Sequence, residues 1–367
     1  MVGFEPSEDQ KLVQETVRSF AREQIRPRAR DADETGEIPA ALVEQAWGLG
    51  LVQGTVPEAY GGFGNELSAV TGALVAEELG WGDLSIALHI LAPSLVTVPL
   101  LEFGTEAQKR EVLPTYTGEN FRAATAALVE PRFGFDPAEM ETVAEKKNGG
   151  WILRGHKCFV PLADEAEHML VYARTGGPGL ENVGVFLVRR GTPGVEILER
   201  EKNMGIKGLR TFEVRLSDVR LPAEARLETG EAGVRRLLDR SRVALAALAV
   251  GVSRAAFEYA RDYAKERKAF GVAIAQKQAI AFMVAEMAIE IDATRLLVWE
   301  AAWKLDRGED ATREAVLAKQ YAAERALEIT DNAVQVLGGH GYIRDHPVEM
   351  WLRNARGFAT FEGLAIV

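Results

Sequence analysis

A single cysteine, Cys158, stands in 367 residues, so no disulfide can form within the chain and nothing in the thiol count supports a zinc site or a disulfide-stapled fold. It lies in an apparent strand between Lys157 and Phe159, with no partner that would make it a nucleophile. Basic excess is missing too. Asp and Glu total 54 against 43 Lys and Arg, and a net charge of −11 argues against nucleic acid or an anionic membrane as the main partner. Met1 to Gln10 lacks the basic start and apolar core of a signal peptide, and the longest run without a polar side chain, Ala244 to Val252, is too short to cross a bilayer. A soluble protein of a reducing compartment, most simply the cytoplasm, is the expectation. Repeats and low-complexity tracts are absent as well. What is present is 47% apolar residues, enough for sizeable cores in two or three domains.

From Ser7 to about Arg30, Leu12, Val13, Val17, Phe20 and Ala21 recur at helical spacing, with Ser7 placed as an N-cap. Pro39 suits the first turn of a helix over Ala40 to Leu49, and Gly50 its stop. After the glycine cluster Tyr60-Gly-Gly-Phe-Gly64, further helices are expected over Glu66 to Leu79, Leu84 to Phe103 and Thr105 to Leu113. The stretch Ala87 to Pro93 is apolar nearly all round and reads as buried, with His89 a core histidine rather than a ligand. The pattern changes near Phe121. Asn148-Gly149 signals a hairpin, and short β-branched or aromatic runs follow at Trp151, Lys157, Met169, Val183, Val195 and Phe212. From Gly230 helices return, with small residues along their seams at Ala249, Ala256, Ala322, Ala326 and Ala333. The layout is α+β: a helical domain over 1–120, a small antiparallel β-barrel or sandwich over 121–226, and an antiparallel four-helix bundle over 227–367.

The residues that could carry chemistry gather near the far end. Glu362 is a carboxylate followed by Gly363 on a turn, and Gly338, Gly339 and Gly341 follow a helix, where they would also serve as ordinary caps. No strand precedes these glycines and the dinucleotide register fails at Arg344, so they are not a Rossmann fingerprint. The run from Gln335 through Gly338-Gly339-x-Gly341-Tyr342, Pro347-Val-Glu349, Arg353 and Arg356 to Phe361-Glu362-Gly363 resembles the C-terminal signature of the acyl-CoA dehydrogenase family of flavoproteins. Pro57-Glu-Ala-Tyr60-Gly-Gly and Arg267-Lys-Ala-Phe270-Gly271 with Gln278 are similar to two more of its motifs, and helices, strands, helices is also its domain order.

That resemblance implies α,β-dehydrogenation of an acyl-CoA thioester in fatty-acid metabolism. No side chain can accept the hydride, so a redox cofactor must, and in the family it is FAD. Glu362 would abstract the α-proton, and its own N–H would help hold the thioester oxygen. Arg267, with Phe270 and Gln278, would serve the pyrophosphate, its planar fork suiting paired charge-assisted bonds; an arginine on a solvated helix end is the alternative. Gln335, Gly338 and Gly339 would reach FAD from a neighbouring subunit, which implies a homodimer or homotetramer. Trp151 would stand beside the flavin or else be an ordinary core tryptophan. Asp239, Arg242, Phe135, Phe361 and Gly363 fall on the substrate side, though Asp239 and Arg242 could be a surface pair. Electrons would leave to an electron-transfer flavoprotein.

Departures from the family pattern bear on the flavin. Val129 and Phe135 replace a threonine and a serine, Leu153 is read in place of a second threonine, and Leu364 stands where threonine is common. Each lost hydrogen bond is worth roughly 0.5–1.5 kcal/mol. In relatives whose base lies on the first bundle helix, the matching position here is Ser241, which cannot act so. The sequence ends at Val367, where the resemblance implies further cofactor contacts. An active dehydrogenase and a catalytically weak subunit paired with an active relative both follow.

Overall fold

A computed structural model describes residues 5–64 and 67–367. Its helices are α1 (Glu8–Phe20), α2 (Arg26–Thr35), α3 (Ala40–Trp47), α4 (Ala69–Gly82), α5 (Leu84–Leu91), α6 (Ser94–Phe103) and α7 (Glu106–Val112), then, after the strands, α8 (Gly230–Glu266), α9 (Gln278–Asp306), α10 (Thr312–Leu337), α11 (Gly339–Tyr342) and α12 (Val348–Arg356). The strands are β1 (Ala124–Ala127), β2 (Val143–Lys147), β3 (Gly150–Pro161), β4 (His168–Arg174), β5 (Val183–Arg189), β6 (Val195–Arg200), β7 (Thr211–Leu221) and the short pair β8 (Lys268–Ala269) and β9 (Val272–Ala273).

Local chemistry sets most of these limits. Ser7 caps α1 in a reciprocal box with Gln10. Ser68 accepts from the N–H of Thr71, so α4 starts there; Glu66, where the periodicity begins, lies outside the described residues, as do Met1 to Phe4. The stretch expected as one helix over Leu84 to Phe103 is two, bent by 41°. Pro93 lies at that break, its ring leaving no N–H to continue the ladder. Asn148 and Gly149 both take positive φ, 51° and 78°, and close the β2–β3 hairpin.

The seven strands form one curled sheet in the order β1-β4-β2-β3-β7-β6, with β5 also on β4. Most pairings are antiparallel as expected, but β1 runs parallel to β4 through Ala124–His168 to Ala127–Val171, which makes the sheet mixed. The reason is the intervening β2–β3 hairpin, which carries the chain across before β4 returns beside β1. Below it α8, α9 and α10 run up, down and up, with α12 packed on α8 and α10. Helix α8 spans about 55 Å. It is long and apolar enough to cross a membrane by composition, yet 78% of its most apolar stretch is buried against neighbouring elements.

His89 on α5 packs against Phe121 with ring centroids 5.3 Å apart. Burial, with a smaller push from the Arg210 charge, lowers its pKa from 6.5 to about 4. Between those values the unfolded chain takes up a proton that the folded chain refuses, so this group's contribution to stability is present above about pH 6.5 and is lost as pH falls toward 4. Denaturant titrations of wild type and His89→Phe across that window check this: the variant is expected to lose less stability on acidification.

Candidate active site

The segment carrying Glu362 is fixed by its own backbone. Past α12 the chain turns through Gly357–Ala359, and the N–H groups of Thr360 and Phe361 both donate to the Gly357 carbonyl at 2.9 Å. The Phe361 ring folds back over Gly357, where a Cβ would stand 2.0 Å from Cζ, so a larger residue would have to displace the ring. Gly363 follows at φ +67°, the left-handed region, with its Cα backed against Leu128. Glu362 is thereby held between two glycine-dependent bends.

Its side chain does not face bulk solvent; it is 23% exposed. Lys319 on α10 donates from Nζ to Oε1 at 2.8 Å. The other oxygen, Oε2, is buried and has no partner among the described residues. Beyond Gly363, residues Leu364 to Val367 are all buried, and Arg240 donates from Nη1 to the Val367 main-chain oxygen at 2.5 Å. Leu95, Leu128, Leu238, Ser241, Gly363 and Ile366 surround a void of about 10 Å³, room for one water at most. The Ser241 hydroxyl is buried there without a partner among the described residues.

The strand side meets this segment through β1 and its continuation. Lys157 is fully buried; its Nζ donates to Leu128 O at 2.9 Å and to Glu130 Oε1 at 3.1 Å. Burial pulls the Lys157 pKa down to about 8 against the pull of Glu130. For Glu130 burial works upward, but Lys157 and the N–H groups of Glu141 and Thr142 hold its carboxyl below the ordinary value. This pair pins the residues on both sides of Val129, whose carbonyl accepts from Cys158 N at 2.9 Å. Burial pushes the Cys158 thiol up to about 12, which leaves it unsuited to nucleophilic work.

Trp151 and Leu153 sit elsewhere. Two residues apart on β3, both turn into the core of the β domain itself, Trp151 edge-on to Phe186 at 5.2 Å. The structure therefore does not bring Trp151 to Glu362. A register shift between Lys157 and Val160 re-aims the strand, and Phe159, at φ 52°, packs against the helical core that contains Phe361. Sequence reading missed Phe159 because an unbroken period of two hides a bulge. It also missed Lys319, for which a signal existed: a charge four residues after Ala315 and three before Ala322, on a seam otherwise built of alanine.

Asp239 and Arg242 form a pair inside the fold, Arg242 Nη1 to Asp239 Oδ1 at 3.0 Å, with Thr312 donating to the other oxygen at 2.8 Å. Burial raises the Asp239 pKa. Phe135 is partly buried, with the Arg132 guanidinium 5.9 Å from its ring centre.

Arg267, Phe270, Gln278, Gln335, Gly338 and Gly339 occupy the opposite end of the bundle. All are exposed, Phe270 at 94% on the tip of the β8–β9 hairpin. Arg267 has no ion-pair partner among the described residues, and nothing lies within 4 Å of a Cβ placed on Gly271, Gly338 or Gly339. An unpaired guanidinium beside open main chain suits a phosphate-bearing ligand. Along α8 this end stands about 40 Å from Ser241.

Three family descriptions match in order: acyl-CoA dehydrogenase N-terminal domain over 7–119, middle domain over 125–219 and C-terminal domain over 229–365. The chain belongs to the acyl-CoA dehydrogenase family. It is 37% identical to a probable acyl-CoA dehydrogenase of Bacillus subtilis, YngJ, across 99% of this chain and 96% of that protein. The caffeyl-CoA reductase-Etf complex subunit CarC of Acetobacterium woodii is 34% identical across 98% and 96%. Butyryl-CoA dehydrogenase from Megasphaera elsdenii superimposes with a TM-score of 0.90 at 32% identity, covering 98% of this chain and 96% of that one. The protein is thus an oxidoreductase and a flavoprotein, with FAD as its cofactor. The residues present fit that group: Arg267 and the open glycine backbone toward its phosphates, and apolar Phe159 and Phe361 on the side of Glu362.

Proposed function

We propose that this protein oxidises the α,β-bond of an acyl-CoA thioester to the 2-enoyl-CoA, with Glu362 as the base. The observation that carries this reading is the buried Oε2 of Glu362, which has no partner among the described residues. An orphaned carboxylate oxygen costs stability, and a proton acceptor is the role that explains it. The Glu362 N–H makes no intramolecular hydrogen bond among the described residues, so it is free to donate to the thioester oxygen as negative charge develops there. FAD, when bound, supplies the hydride acceptor. Phe159 and Phe361 keep water from the reacting carbons. Incubating the purified protein with saturated acyl-CoA thioesters and an artificial electron acceptor tests this; product lighter by two hydrogens supports it, and unchanged substrate contradicts it.

Two copies are required for one site. In a single chain Arg267 follows the far end of α8, about 40 Å along the helix from Ser241, which lines the same void as Gly363, too far for Arg267 and Glu362 to serve one reaction centre directly. A second copy would bring its hairpin and Gln335 to the first, as a homodimer or homotetramer. Phe282, Ile289 and Leu296 lie at seven-residue spacing on the outer face of α9, exposed by 59%, 65% and 45%, and suit such a contact. Ile289→Glu is expected to give monomers in sedimentation and to lose flavin; an intact oligomer with full flavin would place the contact elsewhere. Electrons leave to an electron-transfer flavoprotein, a partner class that the name of CarC carries.

A second reading, a weak subunit that assembles with an active relative, is favoured by the nearly closed void beside Gly363 and by hydrocarbon at Val129 and Phe135. It predicts a protein that stays colourless with added FAD.

A further inference from the structure

We propose that Lys319 is a positioning residue for the proton transfer: it holds Glu362 by Oε1 and thereby leaves Oε2 as the atom that takes the proton. This rests on the reading of Glu362 as the base. The two oxygens are distinguished by geometry alone. Oε1 accepts from Nζ at 2.8 Å, while Oε2 is shielded from water and accepts nothing among the described residues.

Lys319 is well placed for this task. Its ammonium has no other acceptor among the described residues. Its side chain is 15% exposed, so the pair is held in the fold rather than on a solvated surface. The lysine stands on α10, a helix of 26 residues packed on α8, whereas Glu362 stands on irregular chain. A rigid element therefore orients a carboxylate that its own backbone fixes only at the Cα. In the transfer, the Oε2–H bond forms as the α-C–H bond breaks. The electron pair would stay with the substrate and become the new π bond as the β-hydrogen leaves with its pair, for which FAD, when bound, would be the two-electron acceptor. Glu362 ends neutral while Oε1 keeps its hydrogen bond from Lys319.

The purely structural alternative is that the ion pair ties residues 362–367 to the bundle. The two roles separate in kinetics. We compare kcat, KM, flavin content and melting temperature of the holoenzyme for Lys319→Met, Lys319→Arg, Glu362→Gln and the Lys319→Met/Glu362→Gln pair. Lys319→Met is expected to lower kcat by roughly 10- to 100-fold through misplacement of the base, with KM, flavin content and melting near wild type. Lys319→Arg is expected to recover most of that loss, and the double variant to be no slower than Glu362→Gln alone. Wild-type kcat in Lys319→Met, or a loss that tracks lost flavin or lower melting, overturns the proposal while leaving Glu362 as the base. Wild-type turnover in Glu362→Gln overturns the reading of the base itself.

Discussion

Glu362→Gln is expected to keep the fold, the flavin and the contact from Lys319 while turnover falls by roughly two to four orders of magnitude, the usual worth of a positioned base. The amide is nearly isosteric and its oxygen can still accept from Nζ, so the change removes basicity and little else. The alternative base positions are weak. Ser241 is a neutral hydroxyl, and Asp239 has both oxygens engaged, by Arg242 and Thr312. Turnover by single-wavelength assay, with flavin read from the same spectrum, distinguishes a lost base from a lost cofactor.

Glu130→Leu carries the largest expected cost in stability. It leaves the Lys157 ammonium, 0% exposed, without its carboxylate and strips the acceptor from the N–H groups of Glu141 and Thr142. Removing one partner of a buried pair costs about 3–5 kcal/mol. Lys157→Met is expected to cost less, since Glu130 keeps both backbone donors, and the double change to recover much of the loss. Urea midpoints of the three variants check the order. Because the pair pins the chain beside Val129, the Glu130 variant should also hold flavin less well, and absorbance would report it.

Much of the architecture was legible because it follows from period and punctuation. Helical spacing, the Ser7 cap and the Asn148-Gly149 turn put helices, strands and helices in the right order. Pro93 was visible, but its neighbours are so apolar that nothing else in Leu84 to Phe103 signalled a bend. The parallel pairing of β1 with β4 was hidden, since a four-residue buried strand gives no direction from its sequence.

The site was legible in part. Glu362 and Gly363 stand out because a carboxylate beside a required glycine is chemically odd in a bundle. Lys319 contacts it from 43 positions away, and only tertiary structure shows that contact. Trp151 was placed beside the flavin by the family resemblance, yet the bulge between Lys157 and Val160 decides which aromatic meets the helices. Arg267 and Gln335 share an end of the molecule remote from Glu362, the proposed base.

The account turns on Glu362 facing a flavin with a thioester between them. Anaerobic addition of acyl-CoA to the purified yellow protein is its most direct test. The account predicts loss of the flavin's long-wavelength absorbance within the turnover time in wild type, and unchanged colour over the same interval in Glu362→Gln. Equal bleaching in both, or a wild-type protein that binds FAD and never bleaches with any saturated thioester, would contradict it.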